Sequence, residues 1–388
     1  MRILLVHNFY LQPGGEDEVF VRERNLLRKK GHQIIEYTSS NADILRNGSL
    51  TLLKNTIWNR SVHERLRRLI KHDSIDIVHF HNTFPLISPS AYYAASSEGI
   101  PVIQTLHNYR LLCPAAIFFR DGHVCESCVG KNIPWPGIIH RCYRQSLAST
   151  VAVSAMLTTH RWLKTWGKKV SAYIAPTQFA RSKFIEGGLS ADRIRVKPHF
   201  LDHDPGVGRG EGHFAIFVGR LSQEKGLSLL LKAWEELDGT IQLIIVGDGP
   251  LAPMVEEAAG YDTTIRWLGR KNKSETYKLI GSASCLIFPS EVYETFGLTI
   301  IEAYAGGTPV IASDVGAAAE LVRNGQTGFH FRNGSVDDLV RKTRFFFENS
   351  DIGAEMRQNA RTEYELKYSA ERNYSSLMEI YNHSFSLK

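Results

Sequence analysis

The chain has 388 residues, 43 % of them hydrophobic and 22 % charged, a composition that excludes a disordered polypeptide and a length that exceeds one comfortable core, so two domains are expected. A formal net charge of +6 suits an anionic ligand or a membrane surface and gives weak grounds for a nucleic-acid partner, which is not expected. No run reaches the roughly eighteen apolar residues of a membrane-spanning helix and the start is too short for a signal peptide, so the expected location is the cytoplasm, extended to the inner face of the membrane.

In chain order, short apolar runs alternate with helical patterns. The first, residues 3–6, reads as a buried strand. It leads into Gln12-Pro13-Gly14-Gly15-Glu16-Asp17, where Gly14 and Gly15 either let the backbone approach a bound sugar phosphate or form a plain left-handed turn. Two basic runs follow: Arg22, Arg24, Arg28, Lys29 and Lys30, then Arg60, Arg65, Arg67, Arg68 and Lys71. Each reads as a solvated helix face or, in the sharper reading, as a docking surface for anionic lipid. Further strands are expected at 34–37, 77–80, 102–105 and 172–175, an alternation that predicts a parallel sheet covered by helices on both faces. Residues 147–166, with Met156, Leu157, Trp162, Leu163 and Trp166, form an amphipathic helical pattern for core packing, with lipid contact as the alternative.

The pattern pauses over residues 198–212, whose Pro, Gly, His and Asp content reads as a linker. A second strand series follows at 214–218, 243–246, 265–268, 285–288 and 309–312, so the chain is two α/β halves. Ligands of such sheets sit beyond the carboxyl ends of the strands.

The chemistry concentrates in the second half. After the strand at 285–288 comes Pro289-Ser290, then Glu294-Thr-Phe-Gly-Leu-Thr-Ile-Ile-Glu302, the start of a helix with a Gly-rich end. Its amino end offers backbone N–H groups around Phe296, Gly297 and Leu298 and a dipole suited to a diphosphate. Glu294 can reach sugar hydroxyls, and Glu302 can accept from a ribose diol, because each carboxylate has two acceptor oxygens. Phe217-Val-Gly219-Arg220-Leu-Ser-Gln-Glu-Lys225-Gly226 places two cations, Arg220 and Lys225, on the loop after a strand, where they can neutralise a diphosphate leaving group. Gly247-Asp248-Gly249 and Trp267-Leu268-Gly269-Arg270 are further loops after strands and, by themselves, turns.

The strand, the Pro-Ser exit, the Glu-x7-Glu pair and Gly307-Thr-Pro-Val-Ile-Ala-Ser-Asp314 closely resemble the retaining family-four glycosyltransferases. The resemblance implies α/β class and GT-B architecture, two Rossmann-like domains facing across a cleft. These are 1–203 on the acceptor side with a Cys-rich insertion at about 108–145, 204–370 for the nucleotide sugar, and a C-terminal helix, 371–388, packing back on the first domain. It implies a UDP- or GDP-sugar donor, catalysis that requires no cofactor or metal, and a glycan or lipid-linked acceptor, as in bacterial surface polysaccharide assembly. It assigns the diphosphate to Arg220 and Lys225, base contacts to Gly269 and Arg270, and a place beside the reacting sugar to His107, with His81 a weaker acceptor-side candidate. Gly14 and Gly15 match the family's donor loop; the Glu16 and Asp17 that follow depart from it and are candidates for acceptor hydroxyls. In Asp314-Val-Gly316-Ala-Ala-Ala-Glu320, Ala replaces a Gly and a Pro of the family turn, which leaves the role of Glu320 and the donor identity open. Two other readings are a GT-B epimerase or phosphorylase, for which the sequence offers no acid, base or cofactor lysine, and a non-catalytic nucleotide-sugar-binding protein.

Four of the five cysteines, Cys113, Cys125, Cys128 and Cys142, fall in the insertion, and Cys285 lies in a strand. A Cys-x-x-Cys knuckle with two distant partners suits a structural zinc, while buried thiols or disulfides are the alternatives.

Overall fold

The computed structural model describes residues 1–12, 14–46 and 49–386. Pro13 of the first glycine loop and the last two residues of the C-terminal helix expected at 371–388 lie outside the described residues. The chain divides into two compact units: unit 1 comprises Met1–Phe118, Cys125–Asp202 and Ala370–Lys388, and unit 2 comprises Phe119–Val124 and His203–Ser369.

Unit 1 is built on β1 (Arg2–Phe9), β2 (Gln33–Ser40), β3 (Ile77–Phe80) and β4 (Val102–Thr105); after the short hairpin β5 (Phe119–Arg120) and β6 (His123–Val124), which belongs to unit 2, it continues with β7 (Ala172–Ala175) and β8 (Ile194–Val196). The six strands are parallel in the order β2-β1-β3-β4-β7-β8. Strands β3, β4 and β7 are buried along their whole length, as continuous apolar runs covered on both faces must be. Ile3, Leu5, Phe20, Leu27, Ile77, Ile103 and Ile174 pack with Leu377 and Tyr381, so the helix Ala370–Ser386 completes this core. The helix Arg60–His72 shows how local sequence sets the layer: Val62, Leu66 and Ile70 recur every fourth residue and are buried, and Asn59 caps its start by accepting from Val62 N at 3.1 Å.

Unit 2 carries β9 (Phe214–Val218), β10 (Gln242–Val246), β11 (Ile265–Trp267), β12 (Cys285–Phe288), β13 (Val310–Ser313) and β14 (Gly328–Phe331), parallel in the order β11-β10-β9-β12-β13-β14. Leu227, Leu230 and Trp234 of the helix Leu227–Leu237 pack on Leu243, Ile245, Ile287 and Ile311, and the Trp234 indole donates to Ile241 O at 2.9 Å. Both sheets reverse their strand order beside the first strand, between β1 and β3 and between β9 and β12. Those are the switch points at which ligands of such sheets bind.

Three expectations change. Residues 203–212 are stapled to unit 2: Gly208 N donates to Gly306 O, Gly210 N to Gly281 O and Gly212 N to Ser282 O, all within 3.0 Å. A Cβ at Gly208 would lie 2.2 Å from Gly281 O, so these glycines serve close backbone packing rather than flexibility. The single helix expected over 147–166 is two, Leu147–Trp162 and Thr165–Lys168, broken at Lys164 with φ +53°. Met156, Leu157 and Trp166 are buried, whereas Trp162 and Leu163 are 70 % and 48 % exposed.

Candidate active site

In unit 2 the loops leaving β9, β10, β11 and β12 are laced into one surface. Gly219 N donates to Val246 O, Leu221 N to Asp248 O, Gly247 N to Gly269 O and Glu291 N to Glu224 O, all at 2.9–3.0 Å. Only glycine fits at Gly247, where φ is +145° and a Cβ would sit 1.8 Å from Gly219 O. Lys225 closes the turn Gln223–Lys225, and its ammonium pairs with Oε1 of Glu294, which also accepts from Ser290 Oγ at 3.0 Å. The pair is partly shielded, with side chains 29 % and 20 % exposed.

The helix after β12 is Leu298–Ala305, with Gly297 at its N-cap and Phe296 buried just before it. Lys225, Glu294 and the helix start therefore come together. Arg220 and Arg270 are exposed on neighbouring loops. Glu302 is 3 % exposed, one turn into the helix, and accepts from Lys273 Nζ at 2.9 Å. Sequence reasoning missed Lys273, since nothing local ties a lysine to a glutamate 29 residues on, and took Ser290 as part of the strand exit rather than as a partner of Glu294. Gly316, at φ +63°, would bring a Cβ within 3.0 Å of Tyr293 Cα, so the turn after β13 buttresses the backbone that carries Glu294; Glu320 is exposed.

In unit 1 the loops after β1, β3 and β4 gather histidines. His107 Nε2 lies 3.0 Å from His81 Nδ1, and its ring stacks on those of His81 and His199 at 5.1 and 5.3 Å. Behind them, buried Glu23 takes Lys197 Nζ at 2.9 Å on one oxygen and lies 3.1 and 3.3 Å from His79 Nδ1 and His81 Nε2 with the other. Burial alone would raise the Glu23 carboxyl, but the Lys197 charge and the two imidazoles outweigh it and hold the group well below the usual carboxylate range. Burial, reinforced by His79, pushes His81 down to about 3; burial, with His81 and His199, lowers His107 well below its ordinary value; and burial, with Lys197, does the same to His199. One of the two facing nitrogens, His81 Nδ1 or His107 Nε2, donates to the other, so the two imidazoles share a single proton across this contact.

This corrects two expectations. His81 is buried behind His107 and works as its support, not as an acceptor contact. Asp17 caps the helix Gly15–Lys29, accepting from Gly14 N at 3.0 Å, and holds His7 Nε2 at 2.7 Å, so it is unavailable to acceptor hydroxyls. Gly14 is extended, at φ −125°, rather than in a left-handed turn. Glu16 accepts from Asn108 Nδ2 at 2.8 Å, and desolvation raises its carboxyl, offset in part by its hydrogen bonds to Tyr10 and Asn108. Glu23, His79 and His81 are the group of metal-ligating atoms found within 4.8 Å of one another among the described residues. Lys197 on Glu23, with Tyr381 and Thr105 on the two ring nitrogens of His79 at 2.7 Å each, makes this an internal ion-pair network instead.

The basic runs are largely consumed inside unit 1. Arg22 is buried and donates to Phe200 O, Arg24 and Arg28 pair with Glu36, Lys30 with Glu371, Arg60 with Glu64, and Arg67 and Lys71 with Glu98. Of the cysteines, Cys113 and Cys128 are buried, Cys125 and Cys142 half-buried, and no disulfide links them. Burial, with the neighbouring Cys113, Cys142 and Cys125, pushes the Cys128 thiol up to about 11.

Two parallel α/β sheets, each with its switch point beside its first strand, make the two-domain architecture of the GT-B fold. The comparisons agree. Residues 13–205 match the family model "Glycosyltransferase Family 4" and residues 203–363 match "Glycosyl transferases group 1". A phosphatidyl-myo-inositol mannosyltransferase of Mycobacterium leprae is 26 % identical over 337 residues, 81 % of this chain and 79 % of the relative. A D-rhamnosyltransferase of Pseudomonas aeruginosa is 26 % identical over 279 residues, 65 % of this chain and 72 % of the relative. Among solved structures, Anabaena HepE in complex with UDP superposes with a TM-score of 0.70 at 18 % identity, covering 98 % of this chain and 99 % of that one. Sucrose-phosphate synthase of Thermosynechococcus elongatus gives 0.72 at 15 % identity over the whole of both chains. The chain belongs to the family-four glycosyltransferases.

Proposed function

We propose that this glycosyltransferase moves a hexose-type sugar, with retention of configuration, from a UDP- or GDP-sugar to a glycan or lipid-linked acceptor in bacterial surface polysaccharide or glycoconjugate synthesis. The observation that carries the reading is the Lys225–Glu294 pair at the mouth of the helix Leu298–Ala305. In this reading Lys225 and Arg220 neutralise the diphosphate as it leaves, which needs no metal because two cations and the helix-terminal N–H groups of Phe296, Gly297 and Leu298 supply the positive potential. Glu294 holds sugar hydroxyls and is itself positioned by Lys225 and Ser290. Glu302 receives the ribose diol, and Gly219, Gly269 and Arg270 line the nucleoside. His107 hydrogen-bonds the transferred sugar, its ring held between those of His81 and His199, and the backbone of Gly14 and Gly15 meets the sugar phosphate. The mannosyltransferase relative's phosphatidyl-myo-inositol substrate supports a lipid-linked acceptor, and the UDP held by Anabaena HepE supports a nucleotide donor.

The same function implies docking on an anionic membrane from the cytoplasmic side. No helix among the described residues is long and apolar enough to cross a membrane. What supports docking is an exposed set of Ile133, Trp135, Ile139, Trp162 and Leu163 beside exposed Lys131 and Lys164. Arg161 donates to Asn132 O at 3.2 Å and so brings these two segments together.

The deciding experiment screens UDP-, GDP- and ADP-sugars for thermal stabilisation and slow donor hydrolysis, followed by the anomeric configuration of the product by NMR. Stabilisation and hydrolysis by sugars of one base, with the donor's anomer kept, are expected. Stabilisation without turnover would turn the assignment to a non-catalytic nucleotide-sugar-binding protein, and no stabilisation by any donor would remove it.

A further inference from the structure

The four cysteines of the insertion have no part in the chemistry above, and their surroundings differ from those of an ordinary buried thiol. Cys285 shows what the ordinary case looks like: it is fully buried inside β12 as a small apolar side chain. Cys125 and Cys142 are half-exposed, where a small hydrophobe contributes little.

The fold nonetheless gathers them. Gly137, in the short helix Trp135–Ile139, is the pivot: a Cβ there would lie 3.5 Å from Cys128 Sγ and 2.9 Å from Pro114, the residue bonded to Cys113. Cys142 N donates to Gly137 O at 3.0 Å, so the third cysteine is tied to the same residue. Cys125 joins through the Cys-x-x-Cys turn, in which Val129 N donates to Glu126 O at 2.9 Å, while its own N–H donates to Phe118 O at 2.7 Å.

The segment that carries them needs such a tie. Its regular structure is a hairpin of two strands with two residues each and a five-residue helix. Six of the eleven non-glycine residues with positive φ among those described lie in it: Ala116, Phe118, Asp121, Arg141, Arg144 and Gln145. A long irregular segment with so many disfavoured dihedrals is held by something other than propensity. It also carries groups that border the histidine cluster. Asn108 holds Glu16, and the Arg110 guanidinium lies between the rings of Phe84 and Tyr143 at 4.5 and 4.8 Å, Tyr143 being the neighbour of Cys142.

We propose that Cys113, Cys125, Cys128 and Cys142 bind one zinc ion as a tetrathiolate of structural type, which fixes the segment 108–145 and with it Asn108 and Arg110. The four thiols release their protons on binding, and four sulfurs leave no open position for substrate. Ligand sulfurs at tetrahedral spacing are about 3.8 Å apart, given zinc–sulfur bonds of about 2.3 Å. Among the described residues no three sulfurs lie within 4.8 Å of one another, so ligation includes an inward rotation of these side chains. The proposal is independent of the donor and acceptor reading.

The test is metal analysis of the full chain purified without chelator under reducing conditions. About one zinc per chain is expected, retained in Cys285→Ala and lost in Cys125→Ser/Cys128→Ser. Because the double variant can fail to fold, the unmutated protein is also loaded with Co(II), which should give the intense thiolate-to-cobalt absorption of a tetrahedral tetrathiolate. The proposal is overturned by substoichiometric zinc with all four thiols reacting in the native protein, by a weak six-coordinate cobalt spectrum, by disulfides between these cysteines, or by zinc that stays in the folded double variant.

Discussion

Acidification from pH 7.5 to 5.5 should destabilise unit 1 far more than its carboxylates alone would predict. In the unfolded chain a histidine titrates near pH 6.5, whereas His81 is held to about 3 by burial in the fold. Below pH 6.5 the unfolded chain therefore takes up a proton that the folded one refuses, so stability is full above that pH and falls as the pH drops. Each such histidine contributes a slope of about 1.4 kcal/mol per pH unit, hence about 1.4 kcal/mol for His81 at pH 5.5. His107 and His199 are lowered in the same direction with burial as the leading cause, so they add to the loss from His81, against the roughly 5–15 kcal/mol typical of a domain. Glu23 contributes nothing in this window, since a depressed carboxyl begins to cost stability only below its unfolded pKa of about 4.3. The assay is hydrogen exchange of peptides from β1, β3 and β4 at both pH values, which reports unit 1 separately in a chain whose two units need not unfold together. An opening free energy that shifts by less than about 1 kcal/mol would mean that these histidines protonate in the folded state, and the argument from their burial would be wrong.

Two further outcomes follow from the sites. Lys225→Ala should lower kcat by about two to three orders of magnitude through lost leaving-group stabilisation, yet shift the melting temperature little, because a partly exposed pair is worth about 1 kcal/mol or less; unchanged turnover, or collapse of the melt, counts against the role. Trp162→Asp, at a side chain already 70 % exposed, should reduce co-sedimentation with anionic phospholipid vesicles severalfold while leaving donor hydrolysis in place, and equal binding would exclude this surface from docking.

Most of the sheet was legible because a parallel strand buried on both faces writes itself as an uninterrupted apolar run. The strands it concealed are short edges: β8 is three residues with Arg195 at its centre, and β14 begins at a glycine and contains His330. The start of the helix after β12 was legible for a different reason, since Glu294, Gly297 and Glu302 lie close together in the sequence around it. What gives those residues their character was not. Lys225 reaches Glu294 across 69 positions, Lys273 reaches Glu302 across 29, and the Tyr381 that supports His79 comes from 302 residues away. Pairing of that kind is decided by strand order, which no local pattern states.

Adjacent residues of the same type show the limit most clearly. Glu16 and Asp17 look interchangeable in the sequence, two acids after two glycines, and both suit acceptor hydroxyls. A helix starting at Gly15 turns successive side chains by about 100°. That rotation sends Asp17 back to the N–H of Gly14 and to His7, where it is spent on capping, and sends Glu16 to Asn108, one residue after His107. The phase of the first turn thus leaves Glu16 as the carboxylate next to the histidine cluster, with desolvation raising it toward the neutral form. The glycines matter less for a left-handed turn than for fixing where the helix begins, and so which of the two acids is presented.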